Sequence, residues 1–103
     1  MAETSYTIPV WADTGIRHSH RTHGGKVVEF AVQLEVRIRG TWKVVVRYDT
    51  AHGFAHTDRY NLRGRSTKAR LELSFAGALT RAERDIKQNW RIYRERFLKG
   101  EFP

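Results

Sequence analysis

The sequence lacks the residues on which several classes of small protein depend. It contains no cysteine, which excludes a disulfide framework and any thiolate metal site and suits a reducing cytoplasm. Its apolar runs are only a few residues long, too short to span a bilayer. The N-terminal stretch MAETSYTIPVWAD has neither the basic region nor the apolar core of a secretory signal. We therefore expect a cytoplasmic protein that does not insert into membranes.

Acidic residues are also few. The 103 residues include 19 basic and 11 acidic side chains, for a net charge of +8. The first 50 residues hold 7 basic and 5 acidic side chains, and the remaining residues hold 12 and 6. A small basic domain with its charge concentrated in one half commonly binds a polyanion, most often nucleic acid. A solvated surface that stays soluble by self-repulsion has the same composition.

Two adjacent segments alternate apolar and polar residues with the period of two that is typical of strands with one buried face. In the first, six apolar residues recur from Val28 to Ile38. In the second, the alternation resumes at Trp42 and ends at Tyr48, so that Val44 and Val46 share a face with these two residues. The spacing predicts a hairpin that turns around Arg39–Gly40–Thr41.

Weaker signals extend this pattern to the C-terminus. Residues 56–62 and 68–74 predict a third and a fourth strand, joined by the polar connector RGRST. Apolar residues then recur every three to four positions from Ala82 to Phe97, which predicts a core-facing helix over about Arg81–Lys99. Thr80 and Glu83 fit a capping box at its start, and Gly100 fits its end.

The first 25 residues carry the weakest pattern. The segment Thr4–Trp11 is either a short strand or an extended arm, because Pro9 favours an edge position. The segment DTGIRHSHRTHGG after it has no apolar period and is interpreted as a loop. We therefore expect an α+β fold: a four-stranded antiparallel meander with one C-terminal helix packed on one face. Residues 26–103 form the domain, and residues 1–25 form an arm or add an edge strand.

The stretch RYDTAHGFAHTDRY, residues 47–60, places histidines and carboxylates where two predicted strands meet. If the chain turns at Gly53, a histidine can face an aspartate across the hairpin and act as a general acid or base. One such group would deprotonate a ribose 2′-hydroxyl and another would protonate the leaving oxygen, giving RNA cleavage without a metal. The candidate catalytic residues are Tyr48, Asp49, His52, His56 and Asp58. The alternative is a turn in which Asp49 and Thr50 bond the local backbone and the histidines lie at the rim.

Basic residues supply the candidate contacts to nucleic acid. Those in the hairpin would hold a phosphate, and those of the helix recur at helical spacing. Tyr48 and Tyr60 can stack on a base. The candidate phosphate contacts are Arg47, Arg59, Arg63, Arg65, Arg84, Lys87, Arg91 and Arg94. A solvated helix face is the alternative interpretation of the helical row.

A separate tract, His18, His20 and His23, adds imidazoles that, with the carboxylates of residues 47–60, would suffice for a transition-metal site. The spacing matches no standard zinc finger, and the HEXXH motif is absent. We therefore expect a surface tract without metal, and no cofactor.

The motif RYDTAHG, the His-x-Asp that follows it and the spacing N-W-x-x-Y-x-x-x-F in the helix resemble a small prokaryotic family of uncharacterised proteins. In this sequence the matching positions are Arg47–Gly53, His56, Asp58, Asn89, Trp90, Tyr93 and Phe97. The resemblance covers the half of the chain from the second predicted strand to the C-terminus.

The same region more distantly resembles the TumE-type toxins of toxin–antitoxin pairs, which are similarly short and carry an R-Y-D strand end followed by histidines. The proline-containing histidine cluster of that group is absent from this sequence. The resemblance implies an RNA-directed toxin with an antitoxin partner, and the positions that would inherit its role are Tyr48, Asp49, His52 and His56.

These observations lead to three functional hypotheses. The first is an RNA-binding protein that cleaves RNA as a toxin, with its site at the hairpin of residues 47–60. The second is a non-catalytic module that binds nucleic acid or a protein through its basic surface. The third is a structural or interaction protein, such as a phage or mobile-element accessory, that is not toxic and does not bind polyanions.

Overall fold

The computed structural model describes residues 1–103. A six-stranded antiparallel sheet carries one helix on one of its faces, and the strands lie in the sheet in the order in which they occur along the chain. The strands are β1 Ala2–Trp11, β2 Thr14–His23, β3 Lys26–Ile38, β4 Thr41–Asp49, β5 His56–Tyr60 and β6 Ser66–Arg70, and the helix is α1 Phe75–Leu98. The α+β class, the antiparallel sheet and the single C-terminal helix are confirmed, whereas the expected number of four strands was wrong.

The additional strands come from the first 25 residues. The segment interpreted as a loop is β2, which pairs with β1 on one side and β3 on the other. Thr14, Ile16 and His18 of β2 are buried although only one of them is apolar. Pairing on both edges and burial therefore make this segment a strand, because β-structure depends on context more than on side-chain type. β1 lies at the edge of the sheet, where Pro9 is tolerated.

The hairpin between β3 and β4 forms where the alternation predicts it. Arg39 and Gly40 both have positive φ angles, of 51° and 80°, as the two central residues of a tight hairpin turn with the twist of its strands require. Thr41 is already the first residue of β4.

A bulge in β4 changes which residues face the core. Leu34 pairs with Val46 and the next residue of β3 pairs with Val44, so that Val45 is the extra residue. Val45 and Val46 are both fully buried as a result. Trp42 is exposed on the opposite face, so the prediction that it and Val44 share a face with Val46 was wrong. The guanidinium of Arg37 packs on its ring, 5.8 Å from the centroid.

The helix begins six residues earlier than expected, at Phe75. Ser74 is its N-cap and accepts a hydrogen bond from the Gly77 amide at 3.1 Å. Thr80 lies inside the helix, where its hydroxyl donates to the Ala76 carbonyl, so the predicted capping box does not form. The predicted end at Gly100 is confirmed by its φ of 83°. The buried stripe of α1 consists of Ala78, Leu79, Ala82, Ile86, Tyr93 and Phe97.

The sheet has two unlike faces. The face under α1 is apolar at its centre, with Ile16, Leu34 and Val46 paired across neighbouring strands. We call the other one the open face. A row of paired residues crosses it from β2 to β6: Arg17, Gln33, Arg47, Asp58 and Lys68. The helix is too polar along its length to cross a membrane.

Candidate functional site

Asp49, His56 and Asp58 form a buried cluster on the open face. Strand pairing sets Asp49 directly opposite His56, and Asp58 lies two residues further along β5, on the same face. The His56 ring is 1% exposed, and its Nε2 lies 2.8 Å from Asp49 Oδ1 and 3.3 Å from Asp58 Oδ2. The contact between a histidine and an aspartate across this hairpin is thus present, and it involves both carboxylates.

Every polar contact of the His56 ring is with an acceptor. Its Nδ1 lies 3.3 Å from the Phe54 carbonyl oxygen, while Nε2 faces the two carboxylates. A ring that is protonated on both nitrogens can donate to all of these oxygens. Nε2 is directed at the two carboxylates and Nδ1 at a carbonyl oxygen, so neither nitrogen is open to a substrate, and the ring joins β4 to β5.

The two carboxylates also contact cations and a backbone donor. Arg47 Nε lies 2.7 Å from Asp49 Oδ2, a close ion pair whose N–H is not aligned as a hydrogen bond. The Ala51 amide donates to Asp49 Oδ1 at 3.0 Å, and Lys68 Nζ lies 3.8 Å from Asp58 Oδ1. The cluster is therefore an ion network in which both negative charges are offset.

The ligand atoms of Asp49, His56 and Asp58 lie within 4.8 Å of one another, and one imidazole with two carboxylates is a donor set that divalent metals accept. A metal ion there would have to displace the Nε2 proton of His56 and compete with Arg47 and Lys68 for the same oxygens.

The loop of residues 50–55 covers the cluster and has the turn chemistry that the sequence offers as the alternative. Gly53 has a φ of 82°, and its amide donates to the Thr50 carbonyl. The expectation that Thr50 bonds the local backbone was wrong, because its hydroxyl accepts from the Phe30 amide of β3 at 3.1 Å. Of the two histidines only His52 lies at the rim: it is exposed, with its ring centroid 5.4 Å from that of His56.

Tyr48 lies on the other face of the sheet, because successive residues of a strand point to opposite faces. Its hydroxyl donates to Asp85 Oδ2 of α1. Tyr93 donates to Oδ1 of the same carboxylate at 2.6 Å, and the Asn89 side-chain amide donates to Oδ1 at 2.8 Å. Burial, reinforced by the bond to Asp85, raises the pKa of Tyr48. The structure therefore separates Tyr48 from the histidines with which the sequence groups it.

Three of the arginines expected to bind nucleic acid are engaged within the protein. Arg47 pairs with Asp49, as described. Arg94 Nη2 lies 2.7 Å from Asp13 Oδ2, which ties α1 to the turn between β1 and β2. Arg59 Nη1 donates to the Pro103 carbonyl, and its guanidinium packs 5.1 Å from the centroid of the Tyr93 ring.

The other expected contacts are free of carboxylates. Arg63 and Arg65 are exposed in the turn between β5 and β6. Arg84, Lys87 and Arg91 are exposed on α1, and no carboxylate lies within the 4 Å of a salt bridge. Together with Arg81, which the sequence did not single out, they form the helix ridge: Arg81, Arg84, Lys87 and Arg91.

The histidine tract on β2 is ordered by its neighbours. His18 is buried, with its ring stacked on Tyr6 at 4.6 Å between centroids and its Nε2 2.7 Å from His20 Nδ1. Burial lowers the pKa of His18, partly offset by the Glu83 carboxylate of α1, 3.7 Å from Nδ1. His23 is exposed at the end of the strand. The segment expected to be a loop at the surface is thus a strand, and its first histidine, His18, is buried.

Two concave surfaces flank α1. The first, which we call the helix cleft, has a volume of about 490 Å³ and lies between α1 and the β4–β5 part of the sheet. It is lined by Arg59, Arg81, Arg84, Asp85 and Asn89, among others. The second, the tryptophan groove, has a volume of about 390 Å³ and is lined by Trp11, Trp90, Arg91 and Arg94.

A family model described as "Domain of unknown function (DUF7718)" matches residues 1–103. The chain belongs to the DUF7718 family. No curated protein and no solved structure matches it. The expectation of an uncharacterised family is consistent with this match, whereas the RYDTAHG motif and the likeness to TumE-type toxins stay predictions.

Sequence reasoning missed three features of the DUF7718 chain that surround the helix. Asp85 lies between basic residues in the helical segment, and only the fold shows that it accepts bonds from two tyrosines. Arg81 continues the helical spacing of Arg84 and was assigned instead to the start of the helix. Trp11 reaches the groove beside Trp90 because β1 pairs in the sheet. The spacing of basic residues was a usable signal for Arg81, but no local pattern reveals the other two.

Proposed function

We propose that the DUF7718 chain binds single-stranded RNA through the outer surface of α1. The observation that carries this proposal is the distribution of unpaired cations. On and beside the open face, five cations each lie within 4 Å of a carboxylate: Arg17, Arg21, Arg47, Lys68 and Arg70. The four cations of the helix ridge have no such partner, and they form a row of unpaired positive charge that faces outward along the helix. Arg37 on the open face and Arg63 and Arg65 in the turn between β5 and β6 are also unpaired, but they lie apart from this row.

The helix ridge has the length of a short nucleic-acid contact. Arg81 and Arg91 are ten residues apart, which places them about 15 Å apart along the helix axis. A sugar-phosphate chain laid along the ridge would place its phosphates on these cations, and such contacts supply most of the affinity of nucleic-acid binding. The ridge joins the tryptophan groove, at Arg91, to the helix cleft, at Arg84.

The tryptophan groove favours single-stranded over double-stranded RNA. Trp11 is 62% exposed beside Trp90, and Arg91 packs over the Trp90 ring at 5.2 Å. Aromatic rings and guanidinium planes bind bases that have left a duplex stack, and each stacked base contributes about 1–3 kcal/mol.

Binding of a fluorescently labelled 12-nucleotide RNA, followed by anisotropy, tests this proposal. We expect the logarithm of the affinity to fall with the logarithm of salt concentration with a slope of about −3 for four phosphate contacts, one for each cation of the helix ridge. Charge reversal at Arg84, Lys87 and Arg91 should weaken binding at least tenfold, whereas Arg17→Gln, on the open face, should change it less than twofold. Equal losses in both variants, or tighter binding to DNA of the same sequence, would contradict the proposal.

RNA cleavage is a second candidate, favoured by the exposed His52 next to the His56–Asp49 contact. Since both nitrogens of His56 face acceptors, His52 is the residue with a nitrogen open to a substrate. The resemblance to TumE-type toxins points to the same activity and to an antitoxin partner. The test incubates RNA with the purified protein in the presence of a metal chelator. Cleavage by the wild type and none by His52→Ala would support this candidate, and intact RNA with both proteins would rule it out.

A further inference from the structure

We infer that the helix cleft holds one phosphorylated ribose unit, with arginines on its phosphate and Asp85 on a hydroxyl group. The inference rests on the proposed RNA binding and names what the RNA places in the cleft. A volume of about 490 Å³ lies within the range of small-molecule pockets, about 300–1,000 Å³.

The cleft offers positive charge from two elements. Arg81 and Arg84 reach it from α1, and Arg59 reaches it from β5. One Nη of Arg59 donates to the Pro103 carbonyl, but a guanidinium carries five N–H groups, so others remain for a ligand. Gly77, in the first turn of α1, also lines the cleft, and that turn contains no acidic residue. The partial positive charge of the helix N-terminus therefore adds to the arginines.

Asp85 adds a hydrogen-bond acceptor to the basic lining of the cleft. A carboxylate accepts about four hydrogen bonds, and Tyr48, Tyr93 and Asn89 provide three. These three hydrogen bonds hold the carboxylate in one orientation. The remaining acceptor position is on Oδ2, and a hydroxyl group of a ligand can donate to it. A ligand with one anionic group and one hydroxyl satisfies both sides of the cleft, and a ribose phosphate has this composition.

The test is an NMR titration with ribose 5-phosphate, inorganic phosphate and AMP, in which the Asn89 side-chain amide reports on the cleft. We expect ribose 5-phosphate to bind at least fivefold more tightly than inorganic phosphate. The double substitution Arg81→Gln and Arg84→Gln should weaken it at least tenfold. Arg96→Gln is the control, since Arg96 is exposed on the same helix, has no carboxylate partner and lies outside the cleft. Equal affinity for phosphate, or no response of Asn89, would overturn the inference.

The 12-nucleotide RNA distinguishes the source of the ligand. If the RNA binds far more tightly than AMP, the ligand of the cleft is part of an RNA chain. If AMP binds as tightly as the RNA, the ligand is a free nucleotide. Both results support binding of a phosphorylated ribose in the cleft. If the RNA binds but leaves the Asn89 signal in place, the inference fails and the proposed RNA binding stands. If AMP shifts that signal and the RNA does not bind, the proposed function fails and the cleft stands.

Discussion

At the scale of single residues, His52 and His56 lie four positions apart but have different environments, because the buried carboxylates of the open face contact only His56. His56 is enclosed by oxygen atoms of Asp49, Asp58 and Phe54, whereas His52 is exposed on the loop above it. The sequence predicts that a histidine faces an aspartate here. It does not reveal which histidine, because the answer depends on the register of β4 with β5.

Replacement of His56 by alanine should lower the free energy of unfolding by about 3–5 kcal/mol, because it leaves two buried carboxylates without their shared donor. Replacement of His52 by alanine should change it by less than about 0.5 kcal/mol, as for most exposed side chains. Urea denaturation of the two variants checks this difference, and a His56→Ala variant as stable as His52→Ala would show that the cluster contributes nothing.

Ionisation of Tyr48 should make the protein less stable at alkaline pH. Its pKa is raised in the folded state above the ordinary value of 10.0, so its contribution to stability is fully present below pH 10 and is lost as pH rises beyond it. Tyr93 contributes in the same direction, since burial raises its pKa too.

The variant Tyr48→Phe should cost about 1.5–3 kcal/mol at neutral pH, the range for a hydrogen bond to a charged group. It should also flatten the decline in stability above pH 10. Tyr60→Phe is the control for the cost at neutral pH only, because the Tyr60 hydroxyl makes no side-chain hydrogen bond, whereas burial raises the pKa of Tyr60 as well. Chemical denaturation at a series of pH values compares the three proteins, and an unchanged alkaline decline in Tyr48→Phe would contradict the assignment.

At the scale of elements, sequence patterns predict those parts of the fold in which each residue type is one that the local backbone conformation favours. The β3–β4 hairpin and the C-terminal stripe of α1 belong to this group. The β4 bulge does not, because it depends on how β3 pairs opposite Val45. β2 does not either, since polar residues become a strand only between two partners. The start of α1 was missed because Ala76, Gly77 and Ala78 carry little apolar signal.

The sequence predicts that Thr80 caps the start of α1, whereas the structure has Ser74 as its N-cap. Ser74→Ala should lower the free energy of unfolding by about 1 kcal/mol, the usual effect of removing an N-cap. Thr80→Ala should have almost no effect, because Thr80 lies within the helix and bonds only the Ala76 carbonyl. Thermal unfolding of both variants distinguishes the starts, and the reverse order of effects would place the cap at Thr80.

At the scale of the whole molecule, charge is sorted between the two sides of the sheet. Strand pairing brings carboxylates within reach of most cations on the open face, while the ridge of α1 has too few acidic neighbours to offset it. The sequence predicts the excess of positive charge and three of the four ridge residues. It does not show that Arg47 and Arg94 are engaged in ion pairs, because their partners Asp49 and Asp13 are brought close by the fold.

The most direct test of RNA binding at the helix is a map of backbone and indole NMR shifts on addition of the 12-nucleotide RNA. We predict that the shifted signals come from residues 81–91 of α1 and from the indole groups of Trp11 and Trp90. Shifts confined to the open face around His52 and Asp58, with α1 unchanged, would contradict it.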